Sequence, residues 1–142
     1  MRQKILLLGV MLTVIGGILA VGGFTSSALA ERGDACKSGA CGSATFQFSG
    51  RYELTGLSMS VKDTKCDDND VYIKLRIYDF QGTWDTMERR NSSGCKADYA
   101  RWPNLHYVNQ RGAIKGVRVI VCVDDFASDT CYSSGYLKNP NE

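Results

Sequence analysis

The chain has 142 residues, 44% of them apolar and 23% charged, with 17 basic against 15 acidic side chains, six cysteines and one histidine. That length suits one domain with a modest core. A single histidine excludes two-histidine acid–base catalysis, and a net charge of +2 gives no footing for a nucleic-acid or anionic-membrane partner.

Residues 1–30 read as a secretory signal peptide. Arg2 and Lys4 form a basic start, Ile5 to Val21 is apolar, and Ala28-Leu29-Ala30 supplies small residues before a cleavage point. An uncleaved anchor is the rival, since the run approaches the roughly 20 residues of a span. Gly16, Gly17, Gly22 and Gly23 interrupt it. Cleavage after Ala30 leaves Glu31 to Glu142, with equal numbers of acidic and basic residues, as a single secreted β domain free of the membrane.

All six cysteines, Cys36, Cys41, Cys66, Cys95, Cys122 and Cys131, lie in that part. An even count in a small exported domain predicts three disulfides. Six cysteines can pair in about 15 ways. Nearest-neighbour pairing is preferred, because two of its loops are short and bounded by turn residues. A zinc site is disfavoured by the lone histidine and the lack of paired C-x-x-C motifs, so no metal and no cofactor are expected.

In chain order, Glu31 to Ser43 is polar and glycine-containing and reads as a flexible lead-in carrying a small C-K-S-G-A-C loop. A strand is expected at Ala44–Ser49, then alternating apolar positions from Tyr52 to Val61 with a bend or bulge at Gly56. Asp63 to Asp70 reads as an acidic loop. Val71–Tyr78 is a clear strand, with Val71, Ile73, Leu75 and Ile77 on one face and Tyr72, Lys74, Arg76 and Tyr78 on a wetted one. Asp79 to Asn109 is harder: Thr83–Arg89 and Lys96–Trp102 fit either an edge strand or a helical turn, and Leu105–Val108 a short strand. Val117, Val119, Val121 and Val123 mark the strongest strand. A final strand is expected from Cys131 to Leu137, then an Asn139-Pro-Asn-Glu tail. About seven short strands favour an all-β, disulfide-stabilised antiparallel sandwich or barrel.

Chemistry is sparse. No G-x-S-x-G motif and no unpaired cysteine is evident. A carboxylate–arginine–histidine cluster from Glu53 or Glu88, Arg89 or Arg90, and His106 has the residue types but no diagnostic spacing. Asp67-Asp68-Asn69-Asp70 and Asp124-Asp125 with Asp129 offer oxygen ligands for calcium, without EF-hand spacing; solvated turns are the plainer reading. Asn91-Ser92-Ser93 matches a glycosylation acceptor. The best functional signal is aromatic: Trp84, Tyr99, Trp102 and Tyr107 are interleaved with Arg89, Arg90 and Arg101. These types concentrate at interface hot spots, so Trp84, Arg89, Arg90, Tyr99, Trp102 and Tyr107 are the candidate partner-binding residues. The competing reading is that the tryptophans fill the core.

The stretch VRVIVCVDDFASDTCYSSGYLKNP, with the strand VYIKLRIYD before it, resembles small exported actinomycete proteins. Some of these are similar to adaptor subunits of secreted umbrella toxin particles, which join a toxin stalk to a lectin-bearing spoke. The resemblance covers the last half of the secreted part and implies a binding or assembly role, with no functional residue carried over. The expectation is therefore a non-enzymatic module that binds another secreted protein, with neither nucleic acid nor membrane as partner. Two alternatives stand beside it: a protease inhibitor with a loop pinned by Cys66–Cys95 or Cys36–Cys41, and a small toxin enzyme centred on His106. The sequence does not set an oligomeric state.

Overall fold

Period-two alternation of apolar and polar residues runs through the chain and becomes ten strands in the computed structural model, which describes residues 29–142. The expected signal peptide lies outside the described residues except for its last two positions. The strands are β1 (Glu31–Lys37), β2 (Ala40–Ser49), β3 (Glu53–Asp63), β4 (Val71–Asp79), β5 (Gly82–Asp85), β6 (Arg89–Asn91), β7 (Ala100–Val108), β8 (Ile114–Val123), β9 (Thr130–Ser133) and β10 (Leu137–Lys138). No helix occurs among the described residues.

Two antiparallel sheets result. One runs β1-β2-β3-β7. The other is built on the β4–β8 pair, with β5 and β6 following one another along the free side of β4, and β9 and β10 along that of β8. The sheets bury Phe46, Phe48, Leu54, Leu57, Met59 and Val61 from the first against Val71, Ile73, Leu75, Ile77, Val117, Val119 and Val121 from the second. Side chains that meet between stacked antiparallel sheets make a sandwich. The three cystines are Cys36–Cys41, Cys66–Cys95 and Cys122–Cys131, the nearest-neighbour set.

Several expectations need correcting. The segment from Glu31 to Ser43 is not a flexible lead-in: it forms β1 and the start of β2, paired from Glu31–Phe46 through Lys37–Ala40. Its inward positions are small (Gly33, Ala35, Ala40, Gly42), and smallness lets the two sheets approach. A Cβ on Gly33 would lie 2.5 Å from the Val119 side chain. The strand count rises from about seven because β1 is added and two expected strands are each broken in two. Between β9 and β10, Ser134 keeps the ladder: its N–H donates to Val119 O, and its hydroxyl accepts from Val119 N, both at 2.9 Å. Between β5 and β6, Thr86 does the same to Leu75, with bonds of 2.9 and 3.0 Å. The Lys96–Trp102 stretch is neither alternative alone: β7 begins at Ala100 and runs on to Val108, shifting register at Pro103 and Asn104, where φ is +57°. Gly56, at φ +58°, sits in the expected irregularity of β3.

Two polar expectations also change. Tyr72 lies on the outer face of β4 yet is 2% exposed, forming a small second cluster with Ile120 and Cys122. The C-terminal residues are not a loose tail. Asn139 is fully buried and donates through Nδ2 to Gly50 O (3.2 Å) and Ile114 O (2.9 Å), while Asn141 reaches Gly50 O at 3.2 Å. An asparagine amide supplies the donor that strand-end carbonyls otherwise lack.

Candidate functional site

The sandwich is closed on one side and open on the other. On the closed side β1 packs against β8, and Tyr132 of β9 donates its hydroxyl to Ser38 O at 3.3 Å. On the open side the edge strand β7 faces the short β5 and β6. Here an apolar hollow of about 230 Å³ leads to the core, lined by Leu57, Met59, Trp84, Met87, Leu105 and Tyr107, with Arg89 and His106 also at its edge.

The floor belongs to the core, since Leu57 and Met59 are buried. The walls are set by register. Trp84 pairs with Ile77, and Tyr107 with Leu54, so both rings turn to the core side of their sheets. They meet with centroids 5.6 Å apart and planes tilted by 48°. Met87 follows Thr86, which two hydrogen bonds tie to Leu75, and lies where the edge gains one residue against β4 between the Arg76–Asp85 and Ile73–Arg89 pairs; it stands 79% exposed.

Behind the walls is a buried polar node. Asp79 accepts from the Trp84 indole N–H (3.1 Å), from Asn109 Nδ2 (3.2 Å) and from the backbone N–H of Gln81 (2.8 Å). Burial by itself would raise the Asp79 carboxyl, but these donors hold it below the usual carboxylate range. Asn109 also donates to Gly112 O at 2.8 Å, joining the end of β7 to the start of β8. Arg111 lies over the Trp84 ring at 5.6 Å and within 4.0 Å of Asp79. The node thus fixes the indole from its polar end and one face. Burial, and the negative Asp79 nearby, push the Tyr107 phenol up to about 12.

The six candidate residues divide among four places. Trp84, Arg89 and Tyr107 share the hollow. Trp102 is half-buried against the core opposite Met59, so both tryptophans serve the packing as well. Tyr99 lies beyond the hollow, where Lys62 and Arg101 stack on its ring at 5.8 and 5.5 Å, beside a shallow basin of about 280 Å³ on the outer face of the first sheet. Arg90 is committed elsewhere: it is ion-paired to Asp124, 3.4 Å from Glu88 and 3.8 Å from Asp70, and stacked over Tyr72 at 5.2 Å. Alternation along β6 separates it from Arg89, which no carboxylate reaches within ion-pairing distance among the described residues. Met87 and Leu105 were missed by sequence reasoning. An exposed methionine gives no periodic signal, because a bulge and not alternation aims it.

His106 is exposed, and its Nε2 is in hydrogen-bonding contact with the Glu53 carboxylate on β3. Of the proposed carboxylate–arginine–histidine set, Glu53 bonds His106, and Arg89 and His106 line the same hollow, whereas Glu88 joins Lys74 and Arg90. The acidic residues Asp67, Asp125 and Asp129 are engaged by Lys65, Thr130 and Tyr72 respectively, and no metal-type cluster occurs among the described residues. No family model, curated protein or solved structure matches this chain.

Proposed function

We propose that the protein is an exported, non-enzymatic binding module whose hollow receives an apolar side chain of another secreted protein. The carrying observation is the break in the sandwich wall, where an exposed Met87 and the half-buried Trp84 and Tyr107 rings surround a route to the core. At about 230 Å³ the space falls below the roughly 300–1,000 Å³ of ordinary small-molecule sites. It suits one anchoring side chain, ringed by aromatic and methionine surface that adapts to a partner. Arg89 at the rim supplies an uncompensated cation for a carboxylate or carbonyl beside that anchor. Three cystines fit an oxidising compartment, which supports export. A subunit role in a secreted toxin assembly is the form of this reading that the adaptor resemblance suggests.

The test compares the protein with its Met87→Asp variant, changed at a side chain that stands largely in solvent. Both are used to capture secreted proteins from the producing culture. The wild type should retain one stoichiometric partner, and Met87→Asp should lose it at an unchanged melting temperature. Equal capture by the two proteins would place the binding surface elsewhere.

A further inference from the structure

The loop from Asp124 to Asp129, between β8 and β9, inverts the usual arrangement of polar and apolar side chains. All three of its carboxylates turn back to the body. Asp124 ion-pairs with Arg90. Asp125 accepts from Asn69 Nδ2 (3.3 Å) and Thr130 Oγ1 (2.6 Å), and Asp129 from the Tyr72 hydroxyl (2.5 Å). The Asp124 N–H bonds Asp70 O at 2.8 Å. At the base, Cys122 and Cys131 are opposite each other in the ladder and joined as a cystine. What these ties leave in water is Phe126, 109% exposed, followed by the small Ala127 and Ser128.

An aromatic ring held out by a loop fixed at its base and through its carboxylates is a preorganised anchor, since docking it orders little further chain. The shape is convex, so it fits into a partner's pocket and does not enclose a small ligand. A lipid surface is a poor match: one ring gives little membrane affinity, and three neighbouring aspartates oppose anionic headgroups.

We propose that this is a protease-inhibitory loop, with Phe126 filling the specificity pocket of an endopeptidase that selects aromatic side chains. The ties at Asp124, Asp125, Asp129 and the cystine hold the segment in place after docking, so it occupies the active-site cleft without being released as a cut substrate. This activity is independent of the hollow. Phe126 follows the β8 end paired with Val71, whereas Trp84 is opposite Ile77, near the other end of β4.

The test titrates the oxidised protein into α-chymotrypsin and follows hydrolysis of a small chromogenic substrate. Stoichiometric inhibition is expected. Phe126→Ala should weaken it by about 100-fold or more, as loss of a central anchor does, with no change in melting temperature. Phe126→Lys should transfer inhibition to trypsin, and Met87→Asp should inhibit like the wild type. The proposal is overturned if chymotrypsin is not inhibited, if it cuts after Phe126 at the rate of an ordinary substrate, or if Phe126→Ala inhibits undiminished.

Discussion

Asp79 shows how one side chain can govern the candidate site. It is buried, its carboxyl is held below the usual range despite that burial, and it fixes both the Trp84 indole and Asn109. A carboxyl whose folded value is depressed contributes stability that is present above its unfolded value, near 4, and lost as pH falls through the folded value. Asp79→Asn should therefore be less stable than wild type at pH 7, by about 1–3 kcal/mol. That deficit should shrink as melting is measured towards pH 3. A constant deficit across the range would show that Asp79 acts through shape alone. Tyr107 has the opposite sign: its raised value favours the neutral phenol, a contribution that persists below about pH 10 and fades as pH rises through about 12. Trp84→Ala removes a half-buried ring from the core edge as well as from the hollow. We expect it to cost roughly 3 kcal/mol, the low end for buried tryptophan, so a loss of binding in that variant must be judged beside its melting curve. Of the candidate site, the aromatic and arginine content of the irregular third was legible, whereas its division among four places was not. Arg89 and Arg90 are adjacent in sequence, and only the strand alternation of β6 sends one to the hollow and the other onto Tyr72.

At the level of elements, legibility follows side-chain size. β4 and β8 carry long β-branched runs, and their alternation marks them plainly. β1 buries only Gly33 and Ala35, which carry almost no hydrophobic signal, yet its docking on β8 depends on that smallness. Gly33→Val should thus push β1 off Val119 and destabilise the fold by about 1–3 kcal/mol, as overpacking does. A melting temperature equal to wild type would show β1 to be peripheral. The breaks at Thr86 and Ser134 were hidden for another reason. In each, a side-chain hydroxyl replaces a backbone partner, a substitution that leaves no periodic trace. The terminal Asn139 has the same character. Asn139→Ala leaves the Gly50 and Ile114 carbonyls without that donor and should cost about 1–3 kcal/mol, read from denaturant midpoints.

For the molecule as a whole, the cystines fasten the loops that the sheets leave long. Cys66–Cys95 closes 29 residues of chain between β3 and the approach to β7, and Cys122–Cys131 closes the loop that displays Phe126. Each is expected to stabilise by about 2–4 kcal/mol, a large share of what a domain this small possesses. Reduction should unfold the protein cooperatively, and thiol labelling of the native protein should find no reactive cysteine. Two labelled thiols in the folded state would contradict the three-cystine framework.

Sequence alone determined the all-β class and the two central strands, because period-two alternation is a local property of a chain; the nearest-neighbour cystines were a preference among many pairings until the fold brought each pair together. Tertiary structure alone decided which polar groups are spent internally and which apolar ones are left outside. Arg90, Asp124, Asp125 and Asp129 look like surface charge when read in order, but partners brought from β4, β6 and the Asp63–Asp70 loop engage them. Met87 and Phe126 are large apolar side chains, and a bulge and a tethered loop turn them outward. The physical reason is that burial depends on what the opposite sheet or the adjoining loop supplies at that point, and those segments lie tens of residues away along the chain.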